Sequence, residues 1–351
     1  MPRCIAPDPT AIALGRLDSE RLEGRSRPKE RVERAVKPYH QDSAIEDGGH
    51  APAKRAFVVL NPVGGSSDPA FIRSTVETAF GDAGWDHCIY ETTGNDDFAA
   101  VVGGAVREGF DLVVAAGGDG TVSLVAGPLI GADVPLGILP VGTANVLSRE
   151  LGIPADLQQA AALFTGDHSL RAVDVMQVGN RYALLQVGIG LDSLMIRDTD
   201  RETKRRIGRR AYLQTLWEKL RGHRSQRFTV VVDSERLRPI AWQVLVANAG
   251  TLGVRPLRWG PNIRLDDGEL DVCLFYGRTI ANLGRQIRYL ISRGVRGADF
   301  VRYRKARHSV SIVTDPPLPV QADGEITGTT PVTVALLPHA LRIVVPAENP
   351  R

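Results

Sequence analysis

Residues 117–121 read Gly-Gly-Asp-Gly-Thr and directly follow the apolar run 112–116. A short apolar run that ends in a glycine-rich turn predicts a buried strand, and the apolar-periodic stretch 122–130 predicts a helix after it. The N–H groups of such a turn can surround phosphate oxygens, and the helix N-terminus adds positive potential. Asp119 would repel phosphate directly. Its place in the turn therefore favours a divalent cation between the carboxylate and the phosphate. The alternative is that Asp119 caps the helix that follows the turn.

Two more glycine-containing turns follow predicted strands. Asn61-Pro62-Val63-Gly64-Gly65 comes after the apolar residues 56–60, and Gly142-Thr143-Ala144-Asn145 comes after 136–139. Further strands are predicted at 87–90 and 111–116, and helices at 71–83, 98–108, 122–130 and 146–151. This alternation predicts a parallel sheet covered by helices on both faces. Ligands of such sheets lie beyond the C-terminal strand ends, so the three turns together indicate a nucleotide site. No Gly-Lys-Ser/Thr follows, which excludes a Walker A loop. For Thr143 and Asn145, helix capping is the alternative.

The pattern changes after Asp174. Strands are predicted at 182–189, 226–232, 242–247, 269–275, 309–313, 332–337 and 341–345, with two helices at 207–220 and 280–295. Few helices intervene, so this half is expected to be mainly antiparallel. The fold class is therefore an α/β nucleotide-binding domain with a mostly parallel sheet, plus a second, β-rich, sandwich-like domain. Expected boundaries are a disordered extension at 1–53, the first domain at 54–174 with 328–346 returning to it, and the second at 175–327.

The charge is divided unequally along the chain. Residues 175–327 hold 26 Lys and Arg against 15 Asp and Glu, and the rest holds 17 against 25. A basic half suggests an anionic partner, such as a lipid surface, a nucleic acid or a phosphate-rich ligand; an ordinary solvated surface is the alternative. The N-terminus has no apolar signal core, and no apolar run approaches the ~20 residues of a membrane span. We therefore expect a cytoplasmic protein, at most peripheral to a membrane.

Two acidic clusters are candidates for chemistry. Asp323-Gly324-Glu325 lies between predicted strands, where a carboxylate near a nucleotide can act as a general base. The stretch 264–271, Arg-Leu-Asp-Asp-Gly-Glu-Leu-Asp, carries four acids in six residues, which suits a hard cation. A turn with solvated carboxylates is the alternative at both places. The seven histidines form no metal-ligand pair, and no Gly-x-Ser-x-Gly elbow occurs.

In their order these motifs resemble those of a known family. Asn-Pro-Val-Gly-Gly, Gly-Gly-Asp-Gly-Thr, Gly-Thr-Ala-Asn, Val246-Ala247-Asn248, the 265–272 stretch and Asp323-Gly324-Glu325 follow one another. Together they resemble the diacylglycerol kinase catalytic-domain family, specifically the bacterial soluble lipid kinases related to sphingosine kinases. The resemblance covers about residues 54–346.

The resemblance implies a set of site residues. ATP would be held by Asn61, Pro62, Gly64, Gly65, Thr92 or Thr93, Gly117, Gly118, Asp119, Gly120, Thr121, Val122, Ser123, Thr143 and Asn145. Glu325 would be the proton acceptor, and Asp119 and Asp174 would join a water and Mg²⁺ network at the phosphates. Asp267, with the backbone carbonyls of Arg264 and Glu269, would match a structural Mg²⁺ site.

The chain departs from the family pattern at Val146, where many members have Asp. Any role of that Asp in positioning ATP or metal is therefore absent here or filled by another residue. Asp119, Asp174 and Glu325 are all present, so the substitution does not by itself indicate an inactive protein.

The function implied by the resemblance is ATP- and Mg²⁺-dependent phosphorylation of a lipid hydroxyl. The expected partner is a lipid at an anionic membrane surface, reached through the basic segments 204–210 and 278–307, with no nucleic acid and no transmembrane segment. Two alternatives remain: a kinase of soluble nucleotides resembling NAD kinase, and a non-catalytic lipid or nucleotide sensor.

Overall fold

A computed structural model describes residues 53–65, 67–198, 225–251, 258–260, 262–276 and 300–347. The expected N-terminal extension and the helices predicted at 207–220 and 280–295 lie outside the described residues. Within them, no helix is both long and apolar enough to cross a bilayer.

The first domain is built on four parallel strands in the order β2-β1-β3-β4. The strands are β1 (Arg55–Leu60), β2 (Asp86–Glu91), β3 (Leu112–Gly117) and β4 (Leu136–Pro140). The helices are α1 (Pro69–Asp82), α2 (Phe98–Arg107), α3 (Asp119–Ala126), α4 (Val146–Glu150) and α5 (Leu157–Thr165). β3 and β4 are buried along their whole length, as expected of parallel strands that helices cover on both faces.

Three of these helices begin at an aspartate whose carboxylate accepts a hydrogen bond from the first turn: Asp68, Asp97 and Asp156. Asp156 starts α5, a helix that the sequence analysis did not predict. Helix α3 begins at Asp119, three residues earlier than predicted, and a 3₁₀ turn, Gly127–Leu129, follows it. Gly120 and Thr121 therefore belong to the first turn of a helix.

The second domain is formed by two layers of mainly antiparallel strands. One layer continues the first sheet through β5 (His168–Val178), β6 (Arg181–Ala183), β8 (Gln226–Val232), β9 (Glu235–Leu237), β10 (Ile240–Ala241), β14 (Ser309–Thr314) and β17 (Val332–Pro346). The other is a six-stranded sheet in the order β13-β12-β11-β7-β15-β16. Its strands are β7 (Gln186–Gly190), β11 (Gln243–Ala247), β12 (Leu270–Phe275), β13 (Val301–Ala306), β15 (Pro319–Ala322) and β16 (Glu325–Thr329), and α6 (Leu191–Asp198) follows β7.

Strand β17 joins the two halves of the protein. Two strands were predicted at 332–337 and 341–345, but the structure has one long strand with an irregularity between Leu337 and Leu341. Its first half pairs with β14, and its second half lies between β5 and β4, parallel to β4. The single strand predicted at 182–189 is instead two strands, β6 and β7, which belong to different sheets.

Each half has its own apolar core. The first lies around the parallel strands and includes the stacked rings of Phe80 and Phe164, 6.0 Å apart. The second fills the space between the two layers and takes side chains such as Val230 and Ile312 from one sheet and Val187 and Val272 from the other. The protein is thus an α/β domain with a mostly parallel sheet, joined to a separate antiparallel β-sandwich domain, as predicted.

Candidate active site

The three glycine-containing turns meet at the C-terminal edge of the parallel strands. A Cβ on Gly65 would lie 1.7 Å from the carbonyl oxygen of Val141, and one on Gly142 would lie 2.4 Å from Cα of Gly118. At these distances no side chain fits, so direct backbone packing requires glycine at both positions. The turns therefore form one continuous backbone surface at the sheet edge.

Asn61 connects the first turn to α3. Its Nδ2 donates to Oγ1 of Thr121 at 3.0 Å, and its Oδ1 accepts from the N–H of Val63 at 3.1 Å. These two side chains therefore shape the turn. Pro62 and Gly64 lie in it, Gly117 ends β3, and Val122 is buried in α3. A Cβ on Gly120 would meet nothing within 4 Å. The first turn of α3 is therefore open to a ligand at this residue.

Asp119, the first residue of α3, forms a hydrogen bond with the neighbouring helix α4. Its Oδ1 accepts from the N–H of Leu147 at 3.1 Å, in the first turn of α4. Asp119 therefore does not cap the helix that follows its own turn, as the helix-cap alternative had it, because α3 has no side-chain cap hydrogen bond. Asn145, which precedes α4, makes no cap hydrogen bond. Its Nδ2 donates to the carbonyls of Pro140 and Gly142 at 2.9 and 2.7 Å, which tightens the turn and leaves Thr143 exposed.

The two threonines after β2 have different surroundings. Oγ1 of Thr93 donates to Oδ1 of Asp96 at 3.0 Å, and the N–H groups of Thr93 and Gly94 also donate to this carboxylate. Tyr90 donates to the same carboxylate at 2.7 Å, and this hydrogen bond raises the pKa of Tyr90 to about 12. The backbone of Thr92 pairs with Leu60, at the end of β1 beside the first turn, and its hydroxyl makes no hydrogen bond to the described residues. Thr92 is therefore the better candidate of the two.

Asp323 brings the second domain to α3. Asp323 and Gly324 form a two-residue turn with φ of 47° and 87° between β15 and β16. Oδ2 of Asp323 accepts from Oγ of Ser123 at 3.0 Å, and the two carboxylate oxygens accept from the N–H groups of residues 184–186 at 2.7, 2.9 and 3.0 Å. Burial raises the pKa of Asp323, while these four hydrogen bonds act in the opposite direction.

Glu325 begins β16, at the edge of its sheet, two residues from this contact. Its side chain is 42% exposed, and Oε2 lies 3.9 Å from Nη1 of Arg181. In the hairpin, Glu325 thus comes two residues after Asp323, whose carboxylate contacts Ser123 of α3. Ser123 lies one helical turn after Asp119. Sequence reasoning missed Arg181, because a lone arginine in a short strand carries no motif that distinguishes it.

Asp174 lies in a different environment from Asp119. Its side chain is fully buried, and its two oxygens accept from the N–H groups of His339 and Gly268, each at 2.8 Å. Nδ2 of Asn248 donates to the carbonyls of Asp174 and Leu184, also at 2.8 Å. Asn248 therefore links the backbone of Asp174 to the 184–186 segment that holds Asp323. The carboxylate of Asp174 links β17 to the acidic 264–271 loop. This placement does not support its predicted role at the phosphates.

The acidic loop carries its own cations. Nζ of Lys305 lies 3.2 Å from Oδ2 of Asp267 and 2.5 Å from Oε2 of Glu269, and Arg307 donates to Glu269 at 3.0 Å. The N–H of Glu269 donates to the other oxygen of Asp267 at 3.2 Å. No group of three possible metal ligands is found among the described residues. Lys305 thus engages the Asp267 carboxylate, so the loop as it stands does not fit the expected Mg²⁺.

Comparison with known proteins agrees with this architecture. A family model described as "Diacylglycerol kinase catalytic domain" matches residues 55–178, and one described as "YegS C-terminal NAD kinase beta sandwich-like domain" matches 185–345. A diacylglycerol kinase from Bacillus subtilis is 29% identical over 84% of this chain and 98% of its own. An uncharacterised protein from Synechocystis is 32% identical over 69% of this chain, which spans 56% of that relative.

Solved structures give the same result. The crystal structure of a diacylglycerol kinase from Bacillus anthracis aligns with a TM-score of 0.69 and 26% identity, covering 85% of this chain and 99% of that one. Fold and matches together define a kinase with a separate β-sandwich domain. The chain belongs to the diacylglycerol kinase catalytic-domain family and is a lipid kinase. The NAD kinase alternative has no support beyond the description of the sandwich, and the sensor alternative has none.

Proposed function

We propose that this lipid kinase transfers the γ-phosphoryl group of ATP to a lipid hydroxyl, with Glu325 as general base. The observation that carries the proposal is the hydrogen bond from Ser123 to Asp323, because it brings the hairpin that bears Glu325 against α3. The nucleotide turn and the base are separated by about 200 residues of sequence. Their proximity is what in-line transfer from a bound nucleotide to a second substrate requires.

The phosphates would lie on the backbone surface formed by the three turns. The N–H groups at the start of α3 have no partners within their own helix, and the open space at Gly120 allows phosphate to approach them. The hydroxyls of Thr92 and Thr143 stand beside this surface as further donors. Asp119 engages Leu147 through one oxygen and so keeps the other for a cation; Mg²⁺ bound there would neutralise charge on the phosphates.

Glu325 would accept the proton of the lipid hydroxyl while that oxygen attacks the γ-phosphorus and ADP departs. Proton transfer to a positioned carboxylate contributes about 10²–10⁴-fold to such a rate. Arg181, 3.9 Å away, would limit the directions in which the carboxylate of Glu325 points. Asp323 would be a positioning residue, because both oxygens of its carboxylate already accept hydrogen bonds from Ser123 and the backbone of residues 184–186.

The acceptor is expected to come from a membrane surface, because a diacylglycerol-like or sphingoid-like lipid resides there. The basic charge of residues 175–327 supports reversible contact of a cytoplasmic protein with an anionic leaflet. Of the basic segments predicted to make this contact, 204–210 and most of 278–307 lie outside the described residues.

An assay with radiolabelled ATP tests the proposal. The wild-type protein is incubated with a lipid extract and separately with diacylglycerol or NAD, and the labelled product is identified. We expect label in lipid, a loss of about 10²–10⁴-fold in Glu325→Gln with ATP binding retained, and full activity in the exposed control Glu77→Gln. Label in NAD alone, or full activity of Glu325→Gln, would contradict the proposal.

A further inference from the structure

An open groove lies where the two layers of the β-sandwich end. Among the described residues, β10 and β13 are the outermost strands of their sheets on this side. The groove between them has a volume of about 530 Å³. We call it the sandwich mouth; its lining residues are Leu237, Arg238, Pro239, Ile240, Leu274, Tyr276, Arg302 and Arg304.

The charged side chains of the sandwich mouth are three arginines. Arg304 lies 3.3 Å from the carboxylate of Glu235 and is half-buried. Arg238 and Arg302 are exposed, and neither forms an ion pair with any described residue. The guanidinium of Arg302 lies over the ring of Tyr276, 5.5 Å from its centre, which holds this cation at the groove. Two positive charges therefore face the groove without acidic partners in the part of the chain that the structure describes.

The remaining lining residues are apolar. Leu274 is buried at the base of the groove, whereas Ile240 is 45% exposed beside the arginines. Because Ile240 is exposed beside Arg238 and Arg302, the groove has an apolar part next to a cationic part. Free phosphate would use only the cations. A membrane phospholipid would use both, with its phosphate on the arginines and its glycerol and first methylenes on Ile240.

We propose that the sandwich mouth binds the phosphate of an anionic lipid within a bilayer. Arg238 and Arg302 take the headgroup phosphate, and Ile240 contacts the lipid below it. This inference rests on the proposed function, because a membrane-resident acceptor gives the contact its use. The site is separate from the nucleotide turns and holds the β-sandwich domain against the surface from which the acceptor comes.

The test is co-sedimentation of the full chain with vesicles of phosphatidylcholine alone or mixed with phosphatidylglycerol. The variant Arg238→Glu/Arg302→Glu is compared with Lys54→Glu/Arg107→Glu, which reverses two exposed charges on the first domain. We expect the mouth variant to bind anionic vesicles at least about 30-fold more weakly, the value of two lost positive charges, and the control to change much less. Equal losses in both variants, or none in the mouth variant, would overturn the proposal.

Two further measurements separate the possible outcomes. Ile240→Ser should also weaken anionic vesicle binding, while excess inorganic phosphate at constant ionic strength should not displace wild-type protein. Displacement by phosphate would identify a free-anion site and overturn the inference. Kinase activity on a short-chain diacylglycerol in neutral micelles should be unchanged in the mouth variant. If wild-type protein phosphorylates no lipid, the proposed function fails, while the vesicle comparison still decides the role of the groove.

Discussion

The hydroxyl of Ser123 donates to the buried carboxylate of Asp323 at 3.0 Å, across 200 residues of sequence. Ser123 belongs to the helix that follows the Gly-Gly-Asp-Gly-Thr turn, and Asp323 belongs to the hairpin that carries Glu325. The same carboxylate accepts from three consecutive N–H groups of residues 184–186. One side chain therefore fixes the position of Glu325 relative to both domains.

We expect Asp323→Asn to destabilise the protein and to slow catalysis. The amide can accept at only one of the two positions where the carboxylate oxygens receive hydrogen bonds, so at least one buried N–H is left unsatisfied. This should cost about 1–3 kcal/mol in the free energy of unfolding, measured with urea. Asn tolerates the φ of 47° at this position, so backbone strain does not contribute.

The kinetics of this variant distinguish positioning from general stability. Under conditions where Asp323→Asn is fully folded, kcat should fall while the Kd for ATP stays near wild type, because the glycine turns are intact. Ser123→Ala removes a single hydrogen bond and should cost about 1 kcal/mol with a smaller loss of kcat. A wild-type kcat in folded Asp323→Asn would show that the carboxylate has no part in positioning Glu325.

Alanine variants of Thr92 and Thr93 should differ in their affinity for ATP. Removal of the Thr92 hydroxyl should weaken ATP binding about 3–10-fold, the value of one hydrogen bond. Thr93→Ala should have little effect, because the N–H groups of Thr93 and Gly94 still hold Asp96. Calorimetric titration with ATP measures both variants. A larger loss in Thr93→Ala would mean that the Asp96 turn, and not the Thr92 hydroxyl, supports the nucleotide.

The ion pairs of Lys305 predict how the melting temperature depends on Mg²⁺. Because its ammonium group neutralises Asp267 and Glu269, the melting temperature of the wild-type protein should be the same in EDTA and in Mg²⁺. Lys305→Met leaves these carboxylates without that cation and should melt lower in EDTA, with recovery in Mg²⁺. The exposed Lys54→Met serves as control. If EDTA lowers the wild-type melting temperature as well, the loop holds a metal in addition to Lys305.

The first domain follows closely from its sequence pattern. Its four strands coincide with the predicted runs to within one or two residues, and two of them, β3 and β4, end in Gly and Pro. Prediction was weaker in the second domain, where neighbouring strands come from distant parts of the chain. Strand β17 pairs with β14, β5 and β4 along its length, and no local pattern contains that information.

The site was predicted best where its chemistry depends on backbone shape. Gly65 and Gly142 stand at close backbone approaches that admit no Cβ, and such glycines leave a visible motif. Side chains that contact each other across a long stretch of sequence leave no such motif. Three features of the site depend on tertiary packing. They are the hydrogen bond from the N–H of Leu147 to Asp119, the burial of Asp174, and the ion pair between Arg181 and Glu325.

Glycine in the nucleotide turns can serve backbone packing, as at Gly142, or leave room for phosphate, as proposed for Gly120. Alanine variants at these two positions test the two roles separately. Ala at 142 places a Cβ 2.4 Å from Cα of Gly118, so Gly142→Ala should lose about 1–3 kcal/mol of stability and bind ATP poorly. Ala at 120 meets nothing within 4 Å and lies in the first turn of α3, so Gly120→Ala should keep or gain about 0.5–1 kcal/mol. If phosphate approaches the backbone here, Gly120→Ala should still bind ATP at least tenfold more weakly, about 1.4 kcal/mol. Urea unfolding and ATP titration of both variants make the comparison. Wild-type ATP affinity in Gly120→Ala would move the phosphates away from α3, because a methyl group in their path cannot be without effect.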